Sequence, residues 1–88
     1  IVSTVQLYDA SPNPSNGQTA FTYFLPANAK TELRIYDLNG RLVDAVNGPG
    51  NAGFNNISYN TSKLSPGTYL YSLATNGKVK TKRLLVTR

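Results

Sequence analysis

Leu33-Arg34-Ile35-Tyr36-Asp37-Leu38-Asn39-Gly40-Arg41-Leu42-Val43 is the stretch from which the fold is read. Leu33 and Ile35 alternate with Arg34 and Tyr36, which gives one apolar face at the two-residue period of a strand. The run stops at Asp37-Leu38-Asn39-Gly40. Asp37 is placed to accept a hydrogen bond from the backbone two residues on, and Leu38 and Asn39 suit the centre of a type I turn. Gly40 supplies the left-handed conformation that closes a three-residue hairpin with a bulge. The return strand is expected from Arg41, so this stretch predicts a β-hairpin.

Working outward, the same grammar repeats. Before the hairpin, Thr19 to Leu25 alternates with Phe21, Tyr23 and Leu25 on one face, which we assign to the core, and Pro26 ends its ladder. Ile1 to Tyr8 reads as an edge strand or ordered lead-in. Between them, two prolines around Asn13 are expected to hold the loop Ala10 to Gly17 extended while removing two backbone donors. After the hairpin, Asn47 to Gly53 carries three glycines and a proline and is expected to be a mobile loop between sheets. Phe54 to Tyr59 is a strand with Ile57 and Tyr59 facing inward, and Leu64 drops into the core as the chain crosses back. Tyr69, Tyr71 and Leu73 share one face of the strand Thr68 to Ala74. Asn76-Gly77 is the strongest short hairpin signal in the chain, with Val79 to Val86 as its return strand. About seven short strands without helical periodicity predict an all-β protein, an immunoglobulin-like antiparallel β-sandwich. There is no Cys-Trp-Cys framework of the antibody kind.

Composition agrees and excludes much chemistry. The 88 residues are one small domain, 40% hydrophobic, 15% charged, with 7 Gly and 5 Pro. From Ile1 in place of an initiator Met we expect a piece of a longer protein, with any export signal elsewhere in the parent, and the longest apolar runs are too short to span a membrane. The chain has no Cys or His, which removes thiolate nucleophiles, structural zinc and the usual proton shuttle together. The carboxylates are Asp9, Glu32, Asp37 and Asp44, and Asp37 reads as a turn former. Asp37-x-Asn39-Gly40 lacks the further carboxylates and distal Glu of a calcium loop. No enzyme, metal or cofactor is expected.

The resemblance that bears on function is carried by four stretches in order: Pro12-Asn13-Pro14 with Gly17; Ile35-Tyr36-Asp37-x-x-Gly40-Arg41-x-Val43; Leu64-Ser65-Pro66-Gly67-Thr68-Tyr69; and Lys80-Thr81-Lys82-Arg83-Leu84-Leu85-Val86. Together the pattern resembles the C-terminal sorting domain of proteins exported by the type IX secretion system of Bacteroidetes. The resemblance implies a folded signal, covalently preceded by a cargo domain, that passes from the periplasm through the outer-membrane type IX translocon to the cell surface or medium. It also implies a sortase-like cysteine protease that removes the domain. Recognition would then fall to Pro12, Asn13, Pro14, Gly17, Asp37, Gly40, Arg41, Gly67, Tyr69, Lys80, Lys82, Arg83, Leu84, Leu85, Val86 and Arg88. Thr87-Arg88 stands where the family often has a Lys.

Net charge of +5 with six Tyr and three Phe invites comparison with a nucleic-acid platform. The cations cluster near the chain end while Tyr69 and Tyr71 alternate as core residues do, so no nucleic acid is expected. Lys78, Lys80 and Lys82 share one strand face, expected to be solvated, and serve either to protect a sheet edge or to dock an acidic partner. Leu84 and Val86 are expected to anchor the last strand while Leu85 faces outward. The alternative function is a carbohydrate-binding or spacer module, with Tyr8, Tyr36 or Phe54 as exposed platforms.

Overall fold

The structure is a computed structural model and describes residues 4–87. Its strands are β1 (Gln6–Leu7), β2 (Gln18–Leu25), β3 (Thr31–Asp37), β4 (Leu42–Gly48), β5 (Gly53–Asn60), β6 (Gly67–Thr75) and β7 (Lys78–Val86), with one 3-10 turn at Thr61–Lys63. They form two antiparallel sheets, ordered β1-β2-β5 and β4-β3-β6-β7. Compared with a constant-type immunoglobulin sandwich, the fourth strand has left the sheet of the first, second and fifth strands and extends that of the third, sixth and seventh. Among the described residues no helix is long and apolar enough to cross a membrane.

Period-two alternation decides what is buried. Phe21, Tyr23, Leu25, Leu33, Ile35, Tyr71, Leu73, Leu84 and Val86 are all essentially inaccessible. Full burial of one such side chain stabilises by about 1.5–3 kcal/mol. The ring of Phe21 packs on Tyr71 at 4.7 Å and on Tyr59 at 5.9 Å, tying the two sheets together. Buried tyrosines find partners for their hydroxyls within the fold, as a buried polar group must. Tyr71 Oη accepts from the Ala10 amide at 2.8 Å and donates to the Tyr8 carbonyl at 2.9 Å, and burial pushes its pKa up to about 12. Tyr23 Oη donates to the Pro49 carbonyl. At the sandwich edge, Tyr59 Oη donates to Asp44 at 2.6 Å, and Lys63 reaches the same carboxylate at 3.1 Å.

Several expectations need adjustment. The lead-in strand is short: only Gln6 and Leu7 pair, with Phe24 and Tyr23, and the first three residues lie outside the described range. Arg41 is not yet strand. Asp37 and Arg41 close the turn, β4 starts at Leu42, and the register jumps from Ile35↔Asp44 to Tyr36↔Leu42, which leaves Val43 as the bulged residue. Asn47 to Gly53 is largely structured, because Asn47 and Gly48 continue β4 against Glu32 and Thr31. The remainder is tied down: Ala29 donates to the Gly50 carbonyl at 2.9 Å, Ala52 to the Asn28 side chain at 2.8 Å, and Asn55 to the Asn51 carbonyl at 2.8 Å. Pairing has overridden the glycine content. The first loop is not simply extended, since the chain bends at Pro12, Asn13 and Pro14 between the bridges of Ser11 and Ser15.

Candidate functional site

Positions 12 to 86 span nearly the whole chain, yet antiparallel pairing brings residues from each of the four family-like stretches to one end of the sandwich. Asp37 pairs with Tyr69, and Tyr69 pairs with Leu84. That row crosses the large sheet from the central hairpin to the last strand. Gly67 pairs with Val86 on its flank, and Ser15 bridges to Val86 from the other side.

The outermost contact is a clamp. β7 is an edge strand whose outward backbone groups would otherwise be unpaired. Asn13 meets two of them with its side-chain amide, Nδ2 donating to the Arg83 carbonyl and Oδ1 accepting from the Leu85 amide, each at 3.0 Å. Ser15 continues the ladder through its backbone, donating to the Leu85 carbonyl at 2.7 Å and accepting from the Thr87 amide at 2.8 Å. A primary amide carries the same donor and acceptor pair as a peptide unit, so Asn13 stands in for a strand residue. Beneath the clamp, the fully buried hydroxyls of Ser15 and Thr61 bond at 2.7 Å, and Ser15 Oγ also donates to the Gln18 carbonyl. Gly17, at φ +98, accepts from the Thr61 amide through its carbonyl. The sequence reading missed Ser15 and Thr61, since a single buried hydroxyl has no periodicity to announce it.

The central turn forms as its sequence specifies. Asp37 Oδ1 accepts from the amides of Asn39 at 2.9 Å and Arg41 at 3.0 Å, and Gly40 sits at φ +83. The Arg41 amide is the main cause holding the Asp37 carboxyl below its usual range. The Arg41 side chain, 81% exposed, also pairs with Asp37.

Leu64 to Tyr69 has a structural explanation. Tyr69 Oη donates to the Ser65 carbonyl at 2.7 Å from the start of β6, the arrangement of a tyrosine corner. Tyr69 is 9% exposed and Leu84 and Val86 less, so any role for these three in recognition runs through the fold they support. Pro12, Asn13, Pro14, Arg41 and Arg83 are exposed, as is Leu85 at 38%. Arg88 lies outside the described residues.

Lys80 and Lys82 are not part of this end, because they pair with Leu73 and Tyr71 farther along. With Lys78 they share the face of Leu84 and Val86, which is the inner face and not a separate outer one. They reach solvent because the facing sheet ends in the two-residue β1; Lys82 stays near it through an ion pair with Asp9 at 3.3 Å. Inward-pointing charge on an edge strand discourages pairing with another chain. Tyr8 and Phe54 meet at 5.9 Å on the outside of the small sheet, where Phe24 packs on Phe54 at 5.2 Å. Tyr36 is on the other sheet, so the three supposed platforms are not one surface.

A search of curated proteins finds no match. Among solved structures, the chain is similar to dimeric latent PorU from Porphyromonas gingivalis, with 24% identity and a TM-score of 0.79 over 94% of this chain and 9% of that one. It is also similar to CopC from Methylosinus trichosporium OB3b, with 18% identity and a TM-score of 0.56 over 96% of this chain and 92% of that one. These likenesses concern the fold, and the chain spans a small part of the PorU length. The family model described as the secretion system C-terminal sorting domain matches residues 7–87. The chain belongs to that family, and its function is that of a type IX sorting signal.

Proposed function

We propose that the folded end built from the Pro12 to Gly17 loop, the Asp37 to Arg41 turn and the last residues of β7 is the surface that the outer-membrane type IX translocon recognises. The cargo passes through the periplasm ahead of it, and a sortase-like cysteine protease then removes the domain and attaches the cargo to the surface. The observation that carries this reading is the convergence of the family's stretches on Asp37, Tyr69, Leu84 and Val86. Among the exposed side chains at this end, Arg41 and Arg83 are charged ones that a partner can touch without unfolding the domain.

Deleting Val86 onward would be a poor test, since Val86 is buried and bridged to Ser15. Surface variants separate folding from address. A reporter fused ahead of this chain, expressed in a bacterium with the type IX system, is expected at the surface or in the medium. The Arg41→Glu/Arg83→Glu fusion is expected to stay in the periplasm while its domain melts within a few degrees of the parent. Equal export of the two would show that this end is not the address. Retention of the unmodified fusion in a competent strain would remove translocon recognition altogether.

A second reading rests on the Tyr8, Phe24 and Phe54 cluster, whose neighbours Thr22 and Asn56 hydrogen-bond at 2.6 Å. Aromatic faces beside amide and hydroxyl groups suit a neutral sugar. A glycan array on the isolated chain tests it: binding lost in Phe54→Ala would favour a carbohydrate module, and no binding would remove that reading.

A further inference from the structure

The excess positive charge is concentrated, not spread. Each of the four carboxylates is ion-paired: Asp9 with Lys82, Glu32 with Arg34, Asp37 with Arg41 and Asp44 with Lys63. Among the described residues this leaves Lys30, Lys78, Lys80 and Arg83 without an acidic partner. Lys30 and Lys78 stand on either side of Thr75 and Asn76, at the end of the sandwich away from the clamp: Lys30 lines one depression with these two residues, and Lys78 lines the other. Lys80 follows two residues on, along the same inner face of β7.

Thr75 supplies an independent sign that something binds here. It is 4% exposed, it lines both depressions, and its Oγ1 is buried with no hydrogen-bond partner among the described residues. Other buried hydroxyls in this domain, such as those of Ser15, Thr61, Tyr23 and Tyr71, are satisfied within the fold. A buried polar atom left alone calls for a missing partner. The rest of the first depression is apolar, walled by Val5, Leu25, Pro26, Ala27 and Ala29.

We propose that this end binds an acidic peptide segment, distinct from whatever recognises the clamped end. One aliphatic side chain of the peptide enters the apolar slot, and a peptide oxygen accepts the Thr75 hydroxyl proton. Flanking carboxylates meet Lys30, Lys78 and Lys80. Glu32 borders the second depression beside Lys30, and its carboxylate is paired with Arg34, so it does not oppose an acidic residue there. A basic or neutral partner would leave the three lysines uncompensated, and a bare anion would leave the apolar slot unused.

The test uses the 88-residue chain, isotopically labelled and titrated with acetyl-Glu-Val-Glu-Val-Glu-amide, with its Gln-for-Glu analogue, and with acetate. The acidic peptide is expected to shift the amides of Thr75, Asn76, Gly77 and Lys78 saturably, more weakly as salt is raised. Lys30→Gln/Lys78→Gln should raise Kd about tenfold, the scale of losing two solvent-exposed ion pairs. Thr75→Val is the sharper variant. It keeps the shape, removes an unsatisfied hydroxyl and should melt no lower than the parent, yet bind the peptide several-fold more weakly. Equal binding of the Gln analogue, unchanged affinity in Thr75→Val, or shifts centred elsewhere would overturn the proposal. Acetate reproducing the shifts at the same midpoint would also overturn it, by reducing the site to one for simple anions.

Discussion

Asn13→Ala removes both hydrogen bonds by which the first loop holds the edge of β7, and nothing else of consequence, because the Asn13 side chain is otherwise exposed. A net hydrogen bond contributes about 0.5–1.5 kcal/mol, and these two are partly open to water that will replace them, so the expected loss is about 1–2 kcal/mol. For a domain of this size that lowers Tm by roughly 5–15 °C, or the urea midpoint by about 1 M. The more telling readout is local. The Leu85 amide loses its acceptor, whereas its neighbours on β6 keep theirs, so Leu85 hydrogen exchange should quicken by about tenfold or more while the Tyr71 and Leu73 amides follow global stability alone. Asn13→Asp sharpens the expectation: it keeps an acceptor for Leu85 but sets a carboxylate oxygen against the Arg83 carbonyl. It should therefore protect Leu85 better than Ala does while still lowering the midpoint. If Asn13→Ala leaves both the midpoint and Leu85 exchange unchanged, the clamp contributes nothing and the convergence of the two stretches has no energetic meaning.

Gly40→Val should destabilise by roughly 1 kcal/mol or more, because Gly40 sits at φ +83 where a branched side chain crowds the following carbonyl. Ser65→Ala, whose carbonyl still accepts from Tyr69, should change the urea midpoint little; equal midpoints for the two variants would refute the turn assignment. Tyr71→Phe strands the Ala10 amide and the Tyr8 carbonyl, and should cost roughly 1–3 kcal/mol with the N-terminal segment loosening first in hydrogen exchange. A melt equal to that of the parent would show the segment is held by other contacts. Stability should also fall at both pH extremes. Asp37 and Asp44 are held below their usual range, chiefly by the Arg41 amide and the Tyr59 hydroxyl respectively, so their contribution is present above the unfolded carboxylate pKa of about 4 and lost as pH drops below it. Tyr71 is pushed up to about 12 by burial, so its contribution is intact below pH of about 10 and lost as pH climbs toward 12. Urea midpoints across pH check both arms, and Asp44→Asn should flatten the acid arm.

Strands were legible in the sequence wherever alternation and turn chemistry agreed. Phe21, Tyr23 and Leu25, then Tyr69, Tyr71 and Leu73, announce buried faces by spacing alone, and all six are buried. Asn76 at φ 50 and Gly77 at φ 75 are the two left-handed residues that an Asn-Gly hairpin requires. Pairing partners were not legible, and the errors trace to them. Glycine content made Asn47 to Gly53 look mobile, but β3 supplies a partner for its first residues and Asn28, Ala29 and Asn55 supply partners for the rest. The lysine face was expected to be solvated because charge usually is, and Lys78 and Lys80 are exposed. Its even positions are in fact those of Leu84 and Val86, and solvation comes from the shortness of the opposing strand. The clamp was invisible for the same reason. Nothing local to Asn13 tells that its amide will meet a strand 70 positions away.

That separation has a consequence for sorting. A linear signal can be read from an unfolded chain, whereas the end described above exists only once β3, β6 and β7 are paired and the first loop has closed on the last strand. Arg41 takes its position from Asp37, which is held in register by Tyr69; Arg83 takes its position from β6 on one side and Asn13 on the other. Each exposed cation is therefore fixed by residues from a different part of the sequence. Recognition of both together would report that the domain has folded before its cargo is exported. The Asn13→Ala variant tests that coupling from a position that is itself uncharged. If the proposed surface is the address, export of an Asn13→Ala fusion should fall in step with the loss of Leu85 protection, and Arg41→Glu/Arg83→Glu should abolish export with Leu85 protection intact. Full export of the Asn13→Ala fusion despite lost Leu85 protection would mean that the signal is read without the fold.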